Sequence, residues 1–213
     1  MKPTDKHNWN LIKKHLIKND PIMTLLIRKY GKPPLLNKSE TQINLFDRLV
    51  SSIISQQLSV IAARSIKSKL YQLMQDSEFN PHQFFEISIK ELKTCGLSQS
   101  KSSYIKSLAS IINKNPDFLT NLQTLNNEMV IKKLTEIKGI GPWTAQMFLM
   151  FALKRLDVFA PQDVGLIRGI RRIYSEPSKT KIEQITKKWK PYRTIGSWYM
   201  WQVIDSQPLS KKN

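Results

Sequence analysis

Cysteine is nearly absent. The 213-residue chain has one, Cys95, which excludes an intrachain disulfide framework and any four-cysteine metal or iron–sulfur site. Long apolar runs are missing as well. No stretch of about 18 apolar residues occurs, so nothing reads as a membrane span. No apolar N-terminal core precedes a small-residue cleavage site, so nothing reads as an export signal. Alternating apolar and polar residues are not found over any useful length, which leaves an all-α fold. Histidine is limited to His7, His15 and His82. None is close in sequence to the stretch singled out below, which argues against a histidine-based nuclease. Acid is scarce too: 16 Asp and Glu stand against 34 Lys and Arg, a formal net charge of +18.

A surplus of that size attracts polyanions, and nucleic acid is the commonest polyanion in a cell. The plainer alternative is a merely basic surface. The chain is long enough to bury a core as one compact unit or two intimate lobes. A reducing compartment that contains DNA fits the lone cysteine and the charge together.

Apolar spacing and caps divide the chain into helices. Trp9, Ile12 and Leu16 form one stripe within residues 5–18, and Pro33-Pro34 then opens a connector to about Glu40. Leu45, Phe46, Leu49, Val50, Ile53 and Ile54 share a face of the next helix, which stops at Ser55-Gln56-Gln57-Leu58. Ser59 caps its successor. Asn80-Pro81 opens a short helix, and Ser88 with Glu91 forms a capping box for another that ends at Gly96. Gly96-Leu97-Ser98 turns into a helix from about Gln99 to Asn113. Asn126 caps a helix running to Ile137, Pro142 suits a first turn, Thr180 and Glu183 form a second capping box, and Pro191 stops that helix. A last helix contains Trp198, Tyr199 and Trp201. These three crowd one short helix, so at least one belongs to the core. Trp189 and Trp198 are assigned to packing.

The chain is organised around residues 134–168. Between two helices lies Ile137-Lys138-Gly139-Ile140-Gly141-Pro142. Glycine permits positive φ and lets a ligand approach bare backbone. The amides that open the following helix then form an anion site, to which Thr144 can add a hydroxyl. Such a site holds a phosphate without reading sequence. An ordinary tight connection between helices would look similar. The charge, Lys132, Lys133 and Lys138 beside the turn, and Ile140 as a buried anchor favour DNA. The carbonyls of Thr135, Ile137 and Gly139 could also hold a monovalent cation.

One carboxylate follows. Asp163, in Phe159-Ala160-Pro161-Gln162-Asp163-Val164-Gly165, opens a new helix. It reads locally as an N-cap, and that role is compatible with chemistry. A capping carboxylate accepts backbone N–H bonds, which keep it ionised and fixed in direction. It therefore suits a sugar developing positive charge. Asp157 reads as an ion-pair partner, and Glu136 would face an approaching phosphate.

The stretches LTEIKGIGPWTAQMFL and DVFAPQDVGL resemble the helix-hairpin-helix DNA glycosylases, and within them the alkylpurine branch, 3-methyladenine DNA glycosylase II. FDRLVSSIISQQLSVIAARSI, LKTCGLSQSKSSYIKSLA and WKPYRTIGSWYMWQ agree, so the likeness covers about residues 40–205 in order. It implies a single glycosylase unit, 1–213, of the compact form. One lobe would be about 1–35 with 150–213. The other would be about 36–149, with the helix-hairpin-helix at 128–152 and the active-site cleft between lobes. Asp163 matches the catalytic aspartate, and Lys138, Gly139, Ile140, Gly141 and Thr144 match the phosphate grip. Trp143 and Trp201 fall at the base pocket, with Tyr199 a neighbour. Met147 stands where some relatives have an aromatic residue. Gln57 or Leu58 matches the side chain that fills the gap left by an extruded base.

The resemblance implies a monofunctional enzyme. Trp143 falls where bifunctional relatives carry a lysine, and without an amine no Schiff base forms with the sugar. The expected reaction is hydrolytic excision of alkylated purines, of the 3-methyladenine and 7-methylguanine type, from duplex DNA in base-excision repair. The expected partner is damaged double-stranded DNA, bound by a monomer that is cytoplasmic and DNA-associated (nucleoid, or nuclear in a eukaryote). No cofactor is required, and a structural sodium or potassium ion at the hairpin would be optional. Two alternatives stay open: a non-catalytic helix-hairpin-helix DNA-binding repair module, or the same fold acting on another damaged or mismatched base.

Overall fold

A computed structural model describes residues 8–37 and 43–206. The regular structure of the described residues is all helical, with no strand among them. In chain order the α-helices are α1 (Trp9–Asn19), α2 (Pro21–Tyr30), α3 (Leu45–Ser55), α4 (Val60–Met74), α5 (Pro81–Glu86), α6 (Ile89–Thr94) and α7 (Gln99–Lys114). They continue with α8 (Phe118–Asn121), α9 (Asn127–Thr135), α10 (Pro142–Phe151), α11 (Val164–Ile173), α12 (Lys179–Lys188) and α13 (Arg193–Asp205). The chain divides into two compact units, Met1–Glu40 with Lys154–Asn213, and Thr41–Leu153.

The continuous unit holds α3 to α10. Phe46, Leu49, Val50, Ile53 and Ile54 of α3 are buried, as the stripe predicts. Its caps follow the sequence closely. Ser59, Asn80, Ser88 and Asn126 each accept a backbone N–H in the first turn of the helix they precede. One buried carboxylate ties this unit together: Asp47 accepts the hydroxyl of Tyr71 at 2.6 Å, the amide of Phe79 at 3.2 Å and the ammonium of Lys67 at 3.3 Å. Burial first, then the Asp47 bond, pushes the Tyr71 hydroxyl well above the ordinary phenol range. Two lysines of α7 close the ends of other helices. Lys101 donates to the carbonyls of Ile54 and Gln56, and Lys106 to those of Phe84, Phe85 and Ile87. A helix C-terminus leaves carbonyls without partners, and an ammonium group satisfies several at once.

The discontinuous unit holds α1, α2 and α11 to α13. Asp20 does here what Asp47 does in the other unit. It caps α2 through the Ile22 amide at 3.1 Å and accepts Trp189 Nε1 at 2.8 Å and the hydroxyl of Tyr174. α11 and α13 approach closely because Gly169 has no side chain, since a Cβ there would lie 2.2 Å from the Met200 carbonyl oxygen. Trp189 is fully buried, as expected. Trp198 is only half-buried, its ring edge-on to Tyr199 at 5.0 Å.

Several boundaries differ from expectation. The first helix begins at Trp9 behind an Asn8 cap, and residues 5–7 lie outside those described. α2 was not anticipated, although Asp20-Pro21 is a cap followed by a first-turn proline. The connector after it contains a 3-10 turn at Pro34–Leu36, and residues 38–40 lie outside those described. The short helix at Phe118–Asn121 was likewise unforeseen. The helix capped by Asn126 ends at Thr135 rather than Ile137. Thr180 and Glu183 form no capping box; Ser178 caps α12 instead, accepting the Lys181 amide.

Candidate functional site

The hairpin between α9 and α10 is shaped by one glycine. Gly139 has φ +90°, in the region that favours glycine. A Cβ there would also lie 2.1 Å from Tyr104 Cγ, so the turn rests directly on that ring. Ile140 anchors it from inside, 4% exposed, and its amide donates to the Ile137 carbonyl at 3.0 Å. Lys138 is exposed at the tip. Gly141 differs from Gly139: its φ is −91° and a Cβ would meet nothing within 4 Å. What the second glycine supplies is open space at the start of α10 and no capping side chain. A helix N-terminus in that condition suits an anion.

Thr144 does not take the role expected of it. It is 1% exposed, and its Oγ1 lies 2.8 Å from Gln56 Nε2. The side chain belongs to the hairpin's internal bracing rather than to its surface. The same Gln56 amide donates to the Gly139 carbonyl at 2.9 Å. Gln56, Lys101 and Tyr104 thus support the hairpin, and none of the three was singled out from the sequence.

Immediately after Gln56, Gln57 adopts φ +55° and is exposed, and Leu58 is exposed at 41%. Val60 and Ile61 continue the exposed apolar run at the start of α4. An apolar group left in water on so basic a chain is the kind of feature that contacts a ligand. Of the two residues of α10 expected at a base pocket, Trp143 is half-buried and Met147 is 6% exposed.

In the other unit Asp163 caps α11. Its Oδ1 accepts the Leu166 amide at 2.6 Å and the indole Nε1–H of Trp201 at 2.9 Å. Two donors on one oxygen fix the carboxylate's direction. Gly165 borders this pairing, its Cβ position lying 3.4 Å from both Asp163 Oδ1 and Trp201 Cδ1. The group is 9% exposed, yet its chain neighbours Pro161, Gln162 and Val164 are all exposed. It therefore sits at the edge of the surface.

Tyr199 is a correction. It is fully buried, and its hydroxyl donates to the Gly31 carbonyl at 2.7 Å. Burial raises that hydroxyl above the ordinary phenol range, and the ring is a core element rather than part of a base pocket. Asp157 is the ion-pair partner expected: Arg193 Nε meets its Oδ1 at 2.6 Å. Glu136 is exposed just past the end of α9. Among the described residues no group of three or more His, Cys, Asp or Glu could hold a metal, and no helix is long and apolar enough to cross a membrane.

Comparison with known proteins gives these parts a family. The chain is 33% identical to the DNA-3-methyladenine glycosylase of Saccharomyces cerevisiae over 221 residues, covering 97% of this chain and 74% of that one. It is 32% identical to the alkylbase DNA glycosidase-like protein of Schizosaccharomyces pombe over 202 residues, covering 92% and 94%. The S. pombe 3-methyladenine DNA glycosylase, solved in complex with abasic DNA, superposes with a TM-score of 0.81 at 27% identity, covering 95% of this chain and 99% of that one. The DNA-3-methyladenine glycosidase of Bacillus halodurans gives 0.72 at 36% identity, covering 90% and 88%. The family model described as HhH-GPD superfamily base excision DNA repair protein matches residues 50–192, a span that takes in the hairpin, the Gln57-Leu58 turn and Asp163. This chain belongs to that superfamily.

Proposed function

We propose that the chain is a monofunctional DNA glycosylase that hydrolyses the N-glycosidic bond of alkylated purines in duplex DNA and leaves an abasic site. The observation that carries this reading is the state of Asp163, a carboxylate at the head of α11 held by a backbone amide and an indole N–H on one oxygen. Capping α11 takes only the Leu166 amide; the indole N–H adds a second hold on a carboxylate at the edge of the surface, which suits a sugar developing positive charge.

Chemistry follows from the parts. A base inside the stack cannot be reached, so its nucleotide is extruded at a cost of a few kcal/mol. The Gly139–Gly141 hairpin holds backbone phosphate without reading sequence. Gln57 or Leu58 fills the vacated position, replacing lost stacking with protein contact. Alkylation at N3 or N7 gives the purine a positive charge, which makes it a good leaving group. The cationic ring gains roughly 0.5–2 kcal/mol against an aromatic face, which Trp201 and Trp143 offer. As the bond breaks, the Asp163 carboxylate stabilises the positive charge growing on the deoxyribose and orients the attacking water. The base carries its own charge, so no general acid is needed to expel it. Trp143 provides no amine, and hence no Schiff base or strand cleavage by that route. The protein acts as a monomer. A sodium or potassium ion would find neutral oxygen ligands at the carbonyls of Thr135, Ile137 and Gly139. Two of these already accept a hydrogen bond, from Ile140 and Gln56, so a singly charged ion suits the set best.

The Asp163→Asn variant tests the reading. Its amide oxygen can still accept from Leu166 and Trp201, so fold and DNA binding should survive. Release of 3-methyladenine or 7-methylguanine from a damaged duplex should fall by at least about 10²-fold, the usual scale for losing one electrostatic stabiliser. Unchanged release would sink the assignment. A panel of duplexes with alkylated, oxidised and mismatched bases, scored for freed base, tests the lesion class.

A further inference from the structure

We infer that Gln56 is a positioning residue that locks the phosphate-holding hairpin to the turn carrying Gln57 and Leu58, so that the grip on the backbone and the filling of the vacated base position occur as one event. The inference rests on the glycosylase reading above.

The geometry is specific. A glutamine amide nitrogen carries two hydrogens, and both have acceptors: the Gly139 carbonyl at 2.9 Å and Thr144 Oγ1 at 2.8 Å. The Gly139 carbonyl can only accept, so the nitrogen end must face the hairpin. The two acceptors lie on opposite sides of Gly141, one in the turn and one in the first turn of α10. A single side chain therefore holds the 139–144 arc closed around the position of the anion.

The main chain of Gln56 is held equally firmly. It ends α3, where carbonyls lack helical partners. Lys101 Nζ donates to its carbonyl at 2.6 Å and to that of Ile54 at 2.7 Å. Desolvation lowers the pKa of that ammonium below the ordinary lysine value, a sign of how closely it is packed into this joint. The next residue, Gln57, has φ +55°, a left-handed conformation that residues with a Cβ rarely adopt. Residues held there are maintained by surrounding structure, and here the Lys101–Gln56 bond fixes one side of the turn. A continuous chain of bonds thus runs from α7 through the end of α3 to the hairpin, and the exposed Gln57-Leu58 pair projects from its middle.

Such a link has a mechanical consequence. Two DNA contacts on independently mobile elements would each bind an undistorted duplex. Two contacts on one rigid frame bind fully only a duplex whose backbone and stack have both yielded. The frame converts affinity for phosphate into preference for the extruded state, which is binding energy spent on distortion. Removing the clamp should lower affinity for the distorted duplex more than for the undamaged one, and so reduce that preference.

The test compares wild type with Gln56→Met, which keeps length and volume but has no donor, and with Lys101→Met, which removes support one step back. Equilibrium binding is measured to an undamaged duplex and to the same duplex with a tetrahydrofuran abasic analogue. A 2-aminopurine beside that position reports loss of stacking. Both variants should lose about tenfold in the ratio of abasic to undamaged affinity, with a weaker 2-aminopurine signal. A merely structural Gln56 would lower the melting temperature without moving the ratio. A Gln56→Met ratio within about twofold of wild type overturns the proposal, and if that variant does not fold, the same threshold applies to Lys101→Met. Release of alkylated base by the wild type is assayed alongside. Its absence would fail the enzyme reading, whereas the ratio of affinities still judges the clamp.

Discussion

Replacing Trp201 by Phe separates two things that the indole does. Trp201 presents an aromatic face and also donates Nε1–H to Asp163 Oδ1 at 2.9 Å. Phenylalanine keeps a face and loses the donor. A hydrogen bond to a charged acceptor contributes about 1.5–3 kcal/mol when buried. Asp163 is 9% exposed and the indole only half-buried, so the lower end applies. The Leu166 amide stays on the same oxygen at 2.6 Å, so the carboxylate is not orphaned, and the stability loss should be about 1 kcal/mol. Catalysis should suffer more than binding. A restraint of about 1.5 kcal/mol on the carboxylate's direction corresponds to roughly tenfold in single-turnover base release, since 1.4 kcal/mol is a factor of ten. Affinity for an abasic duplex should change little. Trp201→Leu removes the face as well, and its additional loss should appear in the affinity for free cationic base. A Trp201→Phe enzyme that releases base within twofold of wild type would refute the claim that the indole aims the carboxylate.

The two hairpin glycines should part company under the same substitution. Gly139→Ala meets φ +90° and a 2.1 Å approach to Tyr104, and should cost at least about 2–3 kcal/mol in chemical denaturation. Gly141→Ala meets neither, so its stability loss should stay below about 1 kcal/mol. It sets a methyl group in the open space at the start of α10, so backbone affinity for undamaged duplex should fall; equal affinity would remove the anion from that position. For Glu91, hydrogen bonds from the Ser88 side chain first and its backbone second lower the pKa below the ordinary 4.5. Its contribution to the capping box is therefore complete above that value and is lost as pH falls through the lowered one. An NMR titration should put the Glu91 midpoint below 4.5, with Ser88 amide exchange accelerating over the same range; a midpoint at or above the ordinary value would contradict the capping geometry.

Local rules reached much of this molecule. Helices with a clean stripe and a polar cap, such as α3 and those behind Ser59, Ser88 and Asn126, form where spacing places them, because each depends on residues within one turn. α2 does carry local signals, the Asp20-Pro21 start and a buried stripe of Met23, Leu26 and Ile27 at helical spacing, with Leu25 exposed on the other side. Ser178 displaced Thr180 as a cap because both are suitable hydroxyl residues, and only the path of the chain after Pro177 selects between them. Tyr199 shares one helix with Trp198 and Trp201, and composition does not say which ring faces inward. Gln56 had no local signature at all. Its partners lie 83 and 88 residues away in sequence.

The aspartates make the limit of local reading sharpest. Asp20 and Asp163 both cap helices, and Asp47 sits in a first turn, so propensity alone treats them as near equals. Their partners separate them. Asp20 is 3% exposed and joins a cap, a tyrosine and a tryptophan drawn from three parts of one unit. Asp47 is 6% exposed and gathers Lys67, Tyr71 and Phe79 in the other. Both are internal cross-links, where a buried charge is tolerated because several donors converge on it. Asp163 has the same economy of donors but a different address. The residues on either side of it, Gln162 and Val164, are exposed, Val164 at 72%. A charge that is fixed like a core aspartate yet set at the margin of the surface is fixed for something outside the chain. That combination, rather than the capping role by itself, is what the catalytic role proposed for Asp163 rests on.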